Sequence, residues 1–415
     1  MEAVEHKNLG TITSPEVRAC PLPFLKRLQA EQPVYYDAVA GGYVVTRYAD
    51  CTYVYDNWEI FSNQADVLTG RATSPVAEEA RCRFAQRGFP EVHTVATSDP
   101  PIHSRYRGLV DKVFTPSYVK EIEPEIRAIA NGLIDNFIGK GQANFFEEFA
   151  VLFPMYVICD QLGIPREDWR RIKRWSDVMV ERIDPVLSPE RELQLVDEII
   201  EMQNYCFGFL KKYRAEPQKN LLTKYATIEV DGAPLRDEEA VSLAYLTMVG
   251  GNETSTNAIL SAFNILLTHD GMIDALRNNP QRITAFVEET MRSHSPVPVM
   301  YRRAKRDAKI GDVEIPKGSL VMISNIGANH DPERWQDPEA FEMDRKGGRN
   351  HLTFGRGLHF CPGALLAKAE LRIAIEQIME RIPSMRLSPS YPAPKYMSHA
   401  FVHGLDSMHV VFDPA

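Results

Sequence analysis

The sequence predicts a mainly α-helical fold with small β-sheets. Apolar residues recur at helical spacing from about residue 117 to 295, which is most of the middle of the chain. Shorter stretches rich in β-branched and aromatic residues, punctuated by glycine and proline, precede and follow this helical part. No internal repeat, low-complexity linker or charge run divides the 415 residues. We therefore expect a single domain over residues 1–415, with residues 1–30 as an N-terminal extension.

Three β elements are expected outside the helical part. Residues 34–48, VYYDAVAGGYVVTRY, read as a hairpin with Gly41 and Gly42 at the turn. Residues 308–325, AKIGDVEIPKGSLVMISN, form a second strand-rich part with a turn at Pro316 and Gly318. The C-terminal segment HAFVHGLDSMHVVF, residues 399–412, predicts another hairpin.

The most apolar helical stretch begins at Val241 and reads VSLAYLTMVGGNETSTNAILSAFNILL. Asn252, Glu253 and Asn257 lie at its centre, and membrane-spanning helices rarely accept a carboxylate there. We therefore interpret it as a helix buried inside the protein. A further helix is expected directly after Cys361, over GALLAKAELRIAIEQIMERI.

Composition excludes some classes of function. Lys and Arg total 47 and Asp and Glu total 56, which leaves a net charge of −9 and disfavours a nucleic-acid binder. The six cysteines are scattered singly, without the spacing of a disulfide framework or a zinc site. The N-terminus has no apolar segment typical of a secretory signal. These features predict a cytoplasmic protein without a membrane anchor.

The stretch FGRGLHFCPG, residues 354–363, surrounds Cys361 with three glycines. Glycine lets the backbone approach a flat, bulky group or adopt positive φ. The helix after Cys361 points its N-terminal N–H groups towards the sulfur and stabilises a thiolate. A thiolate ligand under a planar cofactor, such as haem iron, fits this chemistry. A buried cysteine in a tight glycine loop, or a haem-sensing loop built on Cys361-Pro362, are the alternatives.

The same stretch resembles the haem-ligand signature of the cytochrome P450 family, whose fixed positions are all matched: Phe354, Gly355, Gly357, His359, Cys361 and Gly363. The resemblance extends from about residue 30 to the C-terminus. It implies the P450 fold, with haem b buried between the long central helix and the helix after Cys361. It also implies that Cys361 is the axial ligand, with Phe354, Gly355 and Gly250 against the haem.

MVGGNETSTN resembles the acid–alcohol segment of the family's central helix. Gly250 and Gly251 weaken the helix, since glycine costs about 1 kcal/mol relative to alanine. Thr254 is placed to bond back to the Gly250 carbonyl, bend the helix and open a groove for dioxygen. Glu253 next to Thr254 suits a proton relay, which is general acid catalysis. The resemblance assigns Glu253 and Thr254 as the catalytic residues.

Further matches concern haem seating and structure. Glu289 and Arg292 share a helix face and match the family's Glu-x-x-Arg pair, which implies a buried structural ion pair. Hydrogen-bond donors for the haem propionates are expected at four positions, and Arg303 is an alternative to Arg302. These positions are His103, Arg107, Arg302 and His359.

The family's pocket segments, carried over by position, are almost entirely apolar here and predict a hydrophobic small-molecule substrate. The residues are Phe84, Phe89, Val92, Val95, Leu246, Val249, Val297, Val299, Phe401 and Val402. Each of them is equally typical of ordinary core packing. Residues 64–93 are long and show no period, which predicts a mobile lid.

The resemblance predicts a haem-thiolate monooxygenase that inserts one atom of O2 into a C–H bond. No flavin or nicotinamide motif is found, so electrons are expected from a ferredoxin with a separate NAD(P)H reductase. A basic docking surface is expected on the cysteine side, formed by Arg105, Lys112, Lys368 and Arg372. We expect a monomer. A peroxide-driven peroxygenase and a non-catalytic haem or ligand sensor are the rival hypotheses.

Overall fold

The structure is a computed structural model that describes residues 8–64, 74–183, 187–230, 232–399 and 401–414. Helices dominate the described part, as the sequence predicts. In chain order they are α1 (Pro15–Ala19), α2 (Leu22–Glu31), α3 (Tyr48–Asp56), α4 (Ala77–Arg87), α5 (Ile102–Val110), α6 (Pro116–Asp135), α7 (Leu152–Leu162), α8 (Trp169–Glu181), α9 (Pro189–Ala215), α10 (Leu221–Thr227), α11 (Asp237–Gly250), α12 (Glu253–Thr268), α13 (Met272–Asn278), α14 (Ile283–Ser293), α15 (Asn325–Asn329) and α16 (Ala364–Arg381).

Two of the long helices begin with a hydroxyl cap followed by a proline. The Thr115 side chain accepts the Tyr118 N–H at the start of α6, and proline occupies the first helical position. Ser188 caps α9 in the same way and accepts the Arg191 N–H. A hydroxyl cap and an N1 proline both suit the unpaired N–H groups of a first turn. Local sequence therefore determines where these helices start.

The strands are short, and five of the twelve described strands form the largest sheet. They are β1 (Val34–Asp37), β2 (Gly42–Val45), β3 (Phe61–Ser62), β4 (Gln142–Asn144), β5 (Glu229–Val230), β6 (Ala233–Pro234), β7 (Val299–Ala304), β8 (Ala308–Ile310), β9 (Val313–Ile315), β10 (Leu320–Ser324), β11 (Arg386–Leu387) and β12 (His409–Val411). The five-stranded sheet has the order β1-β2-β10-β7-β3. Only β2 and β10 run parallel in it, and the other neighbours are antiparallel. The hairpin predicted at residues 34–48 is confirmed as β1 and β2.

Two large apolar clusters hold the helices together. One joins α6, α7, α12, α14 and α16, and the other joins α4, α5 and α7–α11. Helix α12 packs against α16, the helix that follows Cys361. The central helical segment and the cysteine loop are thus brought together by burial of their apolar faces.

The C-terminal hairpin prediction was wrong. Strand β12 pairs with β4 at residues 142–144 and with β11 at residues 386–387, rather than with its own neighbours. The other described β pairing of residues 399–412 is a bridge from Leu405 to Tyr396, which also lies outside the segment. Strand partners this far away in sequence leave no local pattern, so the sequence of this segment does not predict its pairing.

The segment 64–93 also differs from its prediction. Residues 65–73 lie outside the described residues, but Ala77–Arg87 form α4, so part of the segment is a helix that was not predicted. Only Ala80 and Phe84 of α4 are buried, which is too few to show a period. Arg83 and Arg87 both bind Asp197 of α9, at 2.9 and 2.7 Å. No helix in the described part of the chain is both long and apolar enough to cross a membrane.

Candidate active site

The loop before α16 folds tightly around Cys361. Its N–H donates to the Phe354 carbonyl at 2.9 Å, which closes the loop on itself. Gly355 and Gly357 have φ of +69° and +68°, a region that residues with a side chain rarely adopt. A Cβ on Gly357 would also lie 3.1 Å from the Tyr55 carbonyl oxygen. Glycine is therefore required in this loop for both backbone conformation and close approach.

N–H groups at the start of α16 partly offset the cost of a buried thiolate at Cys361. Burial raises the pKa of the Cys361 thiol, while the N–H of Gly363, the charge of Arg107 and the N–H of Ala364 oppose that rise. This agrees with the expectation that the helix N-terminus faces the sulfur. A positively charged metal at the sulfur would favour the thiolate further.

Arg107 on α5 supports the cysteine loop. Its Nη1 donates to the carbonyl oxygens of Leu358 and Phe360 at 3.1 and 2.5 Å, and its Nε binds Asp111 at 2.7 Å. These bonds fix the two residues on either side of His359. A propionate contact for Arg107 stays a prediction.

Arg302 is a buried cation with neutral partners. Its side chain on β7 is 2% exposed, and its Nη1 donates to Asn63 Oδ1 at 2.9 Å and to the Tyr301 carbonyl at 2.7 Å. No carboxylate among the described residues forms an ion pair with it. Burial lowers the pKa of this guanidinium, because a charge is held away from water. An added carboxylate would offset that cost.

The strand places Arg302 and Arg303 in different surroundings. Adjacent residues of a strand face opposite sides of the sheet. Arg302 is buried, whereas Arg303 Nη1 donates to the Gly318 carbonyl in an exposed setting, at 2.9 Å. Arg302 is therefore the arginine that contacts Asn63, which also contacts His359 of the cysteine loop.

His103 and His359 meet beside Arg302. Their ring centroids are 4.4 Å apart, and Asn63 Nδ2 lies 3.3 Å from His359 Nδ1. Both ring nitrogens of His103 and Nε2 of His359 are buried and have no hydrogen-bond partner in the described part of the chain. Burial, then Arg302 and His103, lower the pKa of His359 to about 3. The cluster of Arg302, His103 and His359 has donor capacity that the protein itself does not use.

These residues fit haem b. Haem carries two carboxylates, and such groups form strong bonds with buried cationic and imidazole donors. The glycine loop with a thiolate supplies the axial ligand that haem iron accepts. The unused donors at Arg302, His103 and His359 and the sulfur at Cys361 thus match the two chemically distinct parts of one cofactor.

The central helix is interrupted where the acid–alcohol segment lies. Helix α11 ends at Gly250 and α12 begins at Glu253. The Thr254 hydroxyl donates to the Gly250 carbonyl at 3.1 Å, which confirms the predicted bond. No atom lies within 4 Å of where a Gly250 Cβ would stand, so the backbone borders open space. A small molecule such as dioxygen could approach the helix there.

Glu253 forms an ion pair that the sequence did not indicate. Its Oε2 lies 3.2 Å from Lys173 Nζ on α8, and the carboxylate is 13% exposed. Burial alone would lower the pKa of Lys173, but Glu253 and Asp177 outweigh it and raise that pKa. The carboxylate next to Thr254 is thus held by a lysine from another helix.

Glu289 and Arg292 form the buried pair that the resemblance implies. Their side chains are 2% and 0% exposed and meet through two bonds of 2.8 Å. Arg292 also donates to the Asn329 and Pro338 carbonyls, at 2.6 and 2.9 Å. The pair ties α14 to the meander before the cysteine loop and has a structural role.

The predicted pocket residues divide into two groups. Six of them share the apolar cluster of α4, α5 and α7–α11: Phe84, Phe89, Val92, Val95, Leu246 and Val249. The other four lie outside it: Val297, Val299, Phe401 and Val402. The His403 N–H donates to the Pro296 carbonyl at 2.8 Å, which brings the segments of this second group together. A single pocket lined by both groups stays a prediction.

Sequence reasoning missed residues that act through distant partners. Asn63 links Arg302 to His359, and Lys173 holds Glu253. Arg182 Nη2 binds Glu91 at 2.9 Å, and its guanidinium lies 5.6 Å from the centre of the Phe84 ring. None of these pairs has a sequence signature.

A cysteine at a helix start, unused hydrogen-bond donors suited to carboxylates and a broken central helix together define a haem-thiolate protein of the oxygen-activating class. Comparison with known proteins agrees. The model of the family described as "Cytochrome P450" matches residues 134–384. The chain therefore belongs to the cytochrome P450 family, is a cytochrome P450 monooxygenase and uses haem b.

Curated relatives match over almost the whole chain. A cytochrome P450 of Bacillus subtilis is 31% identical over 94% of this chain and 92% of its own. The vitamin D(3) 25-hydroxylase of Pseudonocardia autotrophica is 32% identical over 95% of this chain and 94% of its own.

Solved structures show the same fold. Cytochrome P450 CREJ in complex with (4-ethylphenyl) dihydrogen phosphate matches with a TM-score of 0.87 and 28% identity, over 95% of this chain and 98% of its own. CYP109E1 from Bacillus megaterium in complex with testosterone matches with a TM-score of 0.82 and 28% identity, over 96% of this chain and 100% of its own.

Proposed function

We propose that this cytochrome P450 hydroxylates a C–H bond of a hydrophobic small molecule, with electrons from a ferredoxin and a separate NAD(P)H reductase. The observation that carries this proposal is the Thr254–Gly250 hydrogen bond at the break between α11 and α12, with Glu253 beside it. A peroxide-driven enzyme or a ligand sensor has no need of a placed acid and alcohol. A cytoplasmic location and a monomeric state belong to the same proposal.

In this proposal each chemical task falls to a residue of this chain. Cys361 would ligate the haem iron, and the bound haem would supply the activation of dioxygen. Arg302, His103 and His359 hold the propionates, and Arg107 fixes the cysteine loop. Glu253 accepts protons from solvent and passes them to the groove. There the Thr254 hydroxyl orients the final hydrogen bond of this proton relay. Phe84 and its apolar neighbours exclude water from the reacting centre.

The apolar cluster at Phe84 supports a hydrophobic substrate. Relatives support the same choice, since one is named a vitamin D(3) 25-hydroxylase and a structural neighbour holds testosterone. Steroids and secosteroids are therefore the first compounds to offer. Burying apolar area provides about 25 cal/mol per Å², so a large polycyclic ligand gains most from such a site.

The test begins with titration of the ferric protein while its Soret band is recorded. A ligand that displaces water from the iron shifts the band, and that ligand is then incubated with ferredoxin, reductase, NADPH and isotopically heavy dioxygen. The expected product contains one heavy oxygen atom. Product from hydrogen peroxide alone, with none from the ferredoxin system, would support the peroxygenase hypothesis. Ligand binding without product in either system would support the sensor.

A further inference from the structure

We propose that Arg182 binds a carboxylate of the substrate, so that the preferred substrate is an apolar acid. Arg182 is the C-cap of α8 and is paired with Glu91, a residue of the loop between α4 and α5. In this inference Glu91 pairs with Arg182 while no substrate is bound and gives way to the substrate carboxylate. The inference rests on the proposed function and deepens it, because it names the chemical class of the substrate.

The guanidinium of Arg182 is buried against the predicted pocket. Its side chain is 6% exposed, and its Cζ lies 5.6 Å from the centre of the Phe84 ring. Phe84 shares its apolar cluster with five other predicted pocket residues. Burial alone would lower the pKa of Arg182, but Glu91 above all outweighs burial and raises that pKa. A cation is therefore held beside an apolar region, where an unpaired charge would be costly.

The two partners of this ion pair differ in burial. Arg182 Nη2 binds Glu91 Oε2 at 2.9 Å and Nη1 binds Oε1, so the pair is bidentate. The Glu91 side chain is 38% exposed and can turn towards water, whereas the buried guanidinium cannot. In the structural pair Glu289–Arg292, by contrast, both side chains are buried. Glu91 is thus the partner that can be exchanged.

A substrate carboxylate has the shape and the charge of the group that it would replace. Arginine binds carboxylates through two parallel N–H···O bonds, which are strong because both groups are charged. Glu192 of α9 also favours the charge of Arg182, but it is buried and accepts the Ser74 hydroxyl at 2.6 Å, so it stays in place. Exchange of Glu91 keeps the bidentate pair at Arg182 and adds the burial of the substrate's apolar body.

Tyr245 of α11 supplies a second polar group at this site. It interacts electrostatically with both Arg182 and Glu91. Burial and then Glu91 raise the pKa of Tyr245 to about 12, so its hydroxyl keeps the proton at neutral pH. The Ser242 hydroxyl donates to the Tyr245 oxygen at 3.4 Å, which leaves the Tyr245 proton for an acceptor. A neutral donor therefore accompanies the cation.

Helix α8 relates this anion site to the groove at Thr254. The Ser176 hydroxyl of α8 accepts a hydrogen bond from the Asn252 amide at 2.7 Å, and Asn252 lies in the break between α11 and α12. Arg182 follows six positions after Ser176, which corresponds to about 9 Å along a helix axis. A substrate held by its carboxylate at Arg182 therefore presents a remote carbon, rather than the carbon beside the acid, to the groove.

The experiment measures the binding of two acids and their methyl esters to the haem-loaded protein near neutral pH. The acids are lithocholic acid, which is a steroid acid, and dodecanoic acid. Calorimetry and the Soret shift give the dissociation constants. Wild type is compared with Arg182→Gln, Glu91→Gln and the matched control Arg174→Gln. Arg174 also lies on α8, but its side chain is 50% exposed.

Wild type should bind each acid about tenfold more tightly than its ester, equivalent to about 1.4 kcal/mol. Arg182→Gln should lose this preference and keep its affinity for the esters. Glu91→Gln should bind the acids more tightly than wild type does, because a neutral amide competes less well for the guanidinium. Arg174→Gln should match wild type with all four ligands. Turnover of the acids should place the new hydroxyl in the half of the molecule remote from the carboxylate.

Equal affinity of wild type for acids and esters would overturn the inference, as would an acid preference that persists in Arg182→Gln. Weaker binding of acids and esters alike in both Arg182→Gln and Glu91→Gln would show that the pair is only structural. If Arg182→Gln does not take up haem, Glu91→Gln decides, since it keeps the arginine: acid binding that is no tighter than in wild type contradicts the exchange.

Failure of this inference and failure of the proposed function give different results. If neither acid binds wild type, the anion site is refuted, while product formed from neutral compounds still supports the hydroxylase. If the acids bind through Arg182 but yield no product with ferredoxin or with peroxide, the anion site stands and the proposed hydroxylation is refuted.

Discussion

The Thr254 hydroxyl donates a hydrogen bond to the Gly250 carbonyl, 3.1 Å away, across the break in the central helix. A threonine hydroxyl has one donor and two acceptor lone pairs. Because the donor is used by the helix, what Thr254 presents to the groove is an acceptor. It would therefore accept a hydrogen bond from a protonated group in the groove.

Thr254→Ala is expected to uncouple the enzyme. NADPH consumption should continue in the presence of substrate, but the product formed per NADPH should fall by about tenfold or more, with hydrogen peroxide in its place. The Soret band should remain normal, since Cys361 is untouched. Thr254→Ser keeps the hydroxyl and is the control that should stay coupled. Full coupling in Thr254→Ala would refute the role of the hydroxyl.

Arg302→Gln should release haem faster than wild type, whereas Arg303→Gln should not. A hydrogen bond to a charged group contributes about 1.5–3 kcal/mol, so release to excess apomyoglobin should accelerate about tenfold or more. Arg302 is buried without a carboxylate partner among the described residues, and Arg303 faces the other side of β7. Equal release rates for the two variants would contradict the assignment.

Arg292→Gln is expected to destabilise the fold severely. The change removes the bidentate partner of the buried Glu289 carboxylate and leaves Arg345, 3.1 Å away, as its remaining ion pair, so we expect a loss of about 3 kcal/mol. Urea unfolding of the haem-loaded protein measures the effect. Glu78 and Arg81 provide a matched control, because they have the same i, i+3 spacing but are exposed. Arg81→Gln should leave the unfolding midpoint unchanged, and similar shifts for both variants would contradict a structural role for burial.

The sequence could predict features that are contained in one short segment. The Cys361 loop, the Thr254–Gly250 bond and the Glu289–Arg292 pair all join residues within a few positions of each other, so spacing determines them. The link from Asn63 to Arg302 and His359 spans 239 and 296 positions. The cations on the cysteine side also have partners that are distant in sequence. Arg105, for example, forms an ion pair with Glu239. Such contacts depend on how the sheet and helices pack, which no local pattern encodes.

Glu370 on α16 is a buried carboxyl group with an unusual proton affinity. Burial raises its pKa to about 8, and the Ser255 hydroxyl on α12 only partly opposes this. Between the ordinary carboxyl pKa and about 8, the unfolded chain has lost this proton and the native protein keeps it. The native state then binds more protons, so this group makes the free energy of unfolding fall as pH rises through that window.

Glu370→Gln should remove this contribution, because an amide does not titrate. We expect the wild type to lose up to about 1.4 kcal/mol per pH unit relative to the variant between pH 5 and pH 8. Urea unfolding of the haem-loaded proteins at several pH values measures the two slopes. Glu380→Gln is the control, since Glu380 lies on the same helix but is exposed, and it should retain the wild-type slope. Parallel slopes for wild type and Glu370→Gln would mean that the carboxyl is ionised in the native protein, with a partner at the α12–α16 contact that offsets its charge.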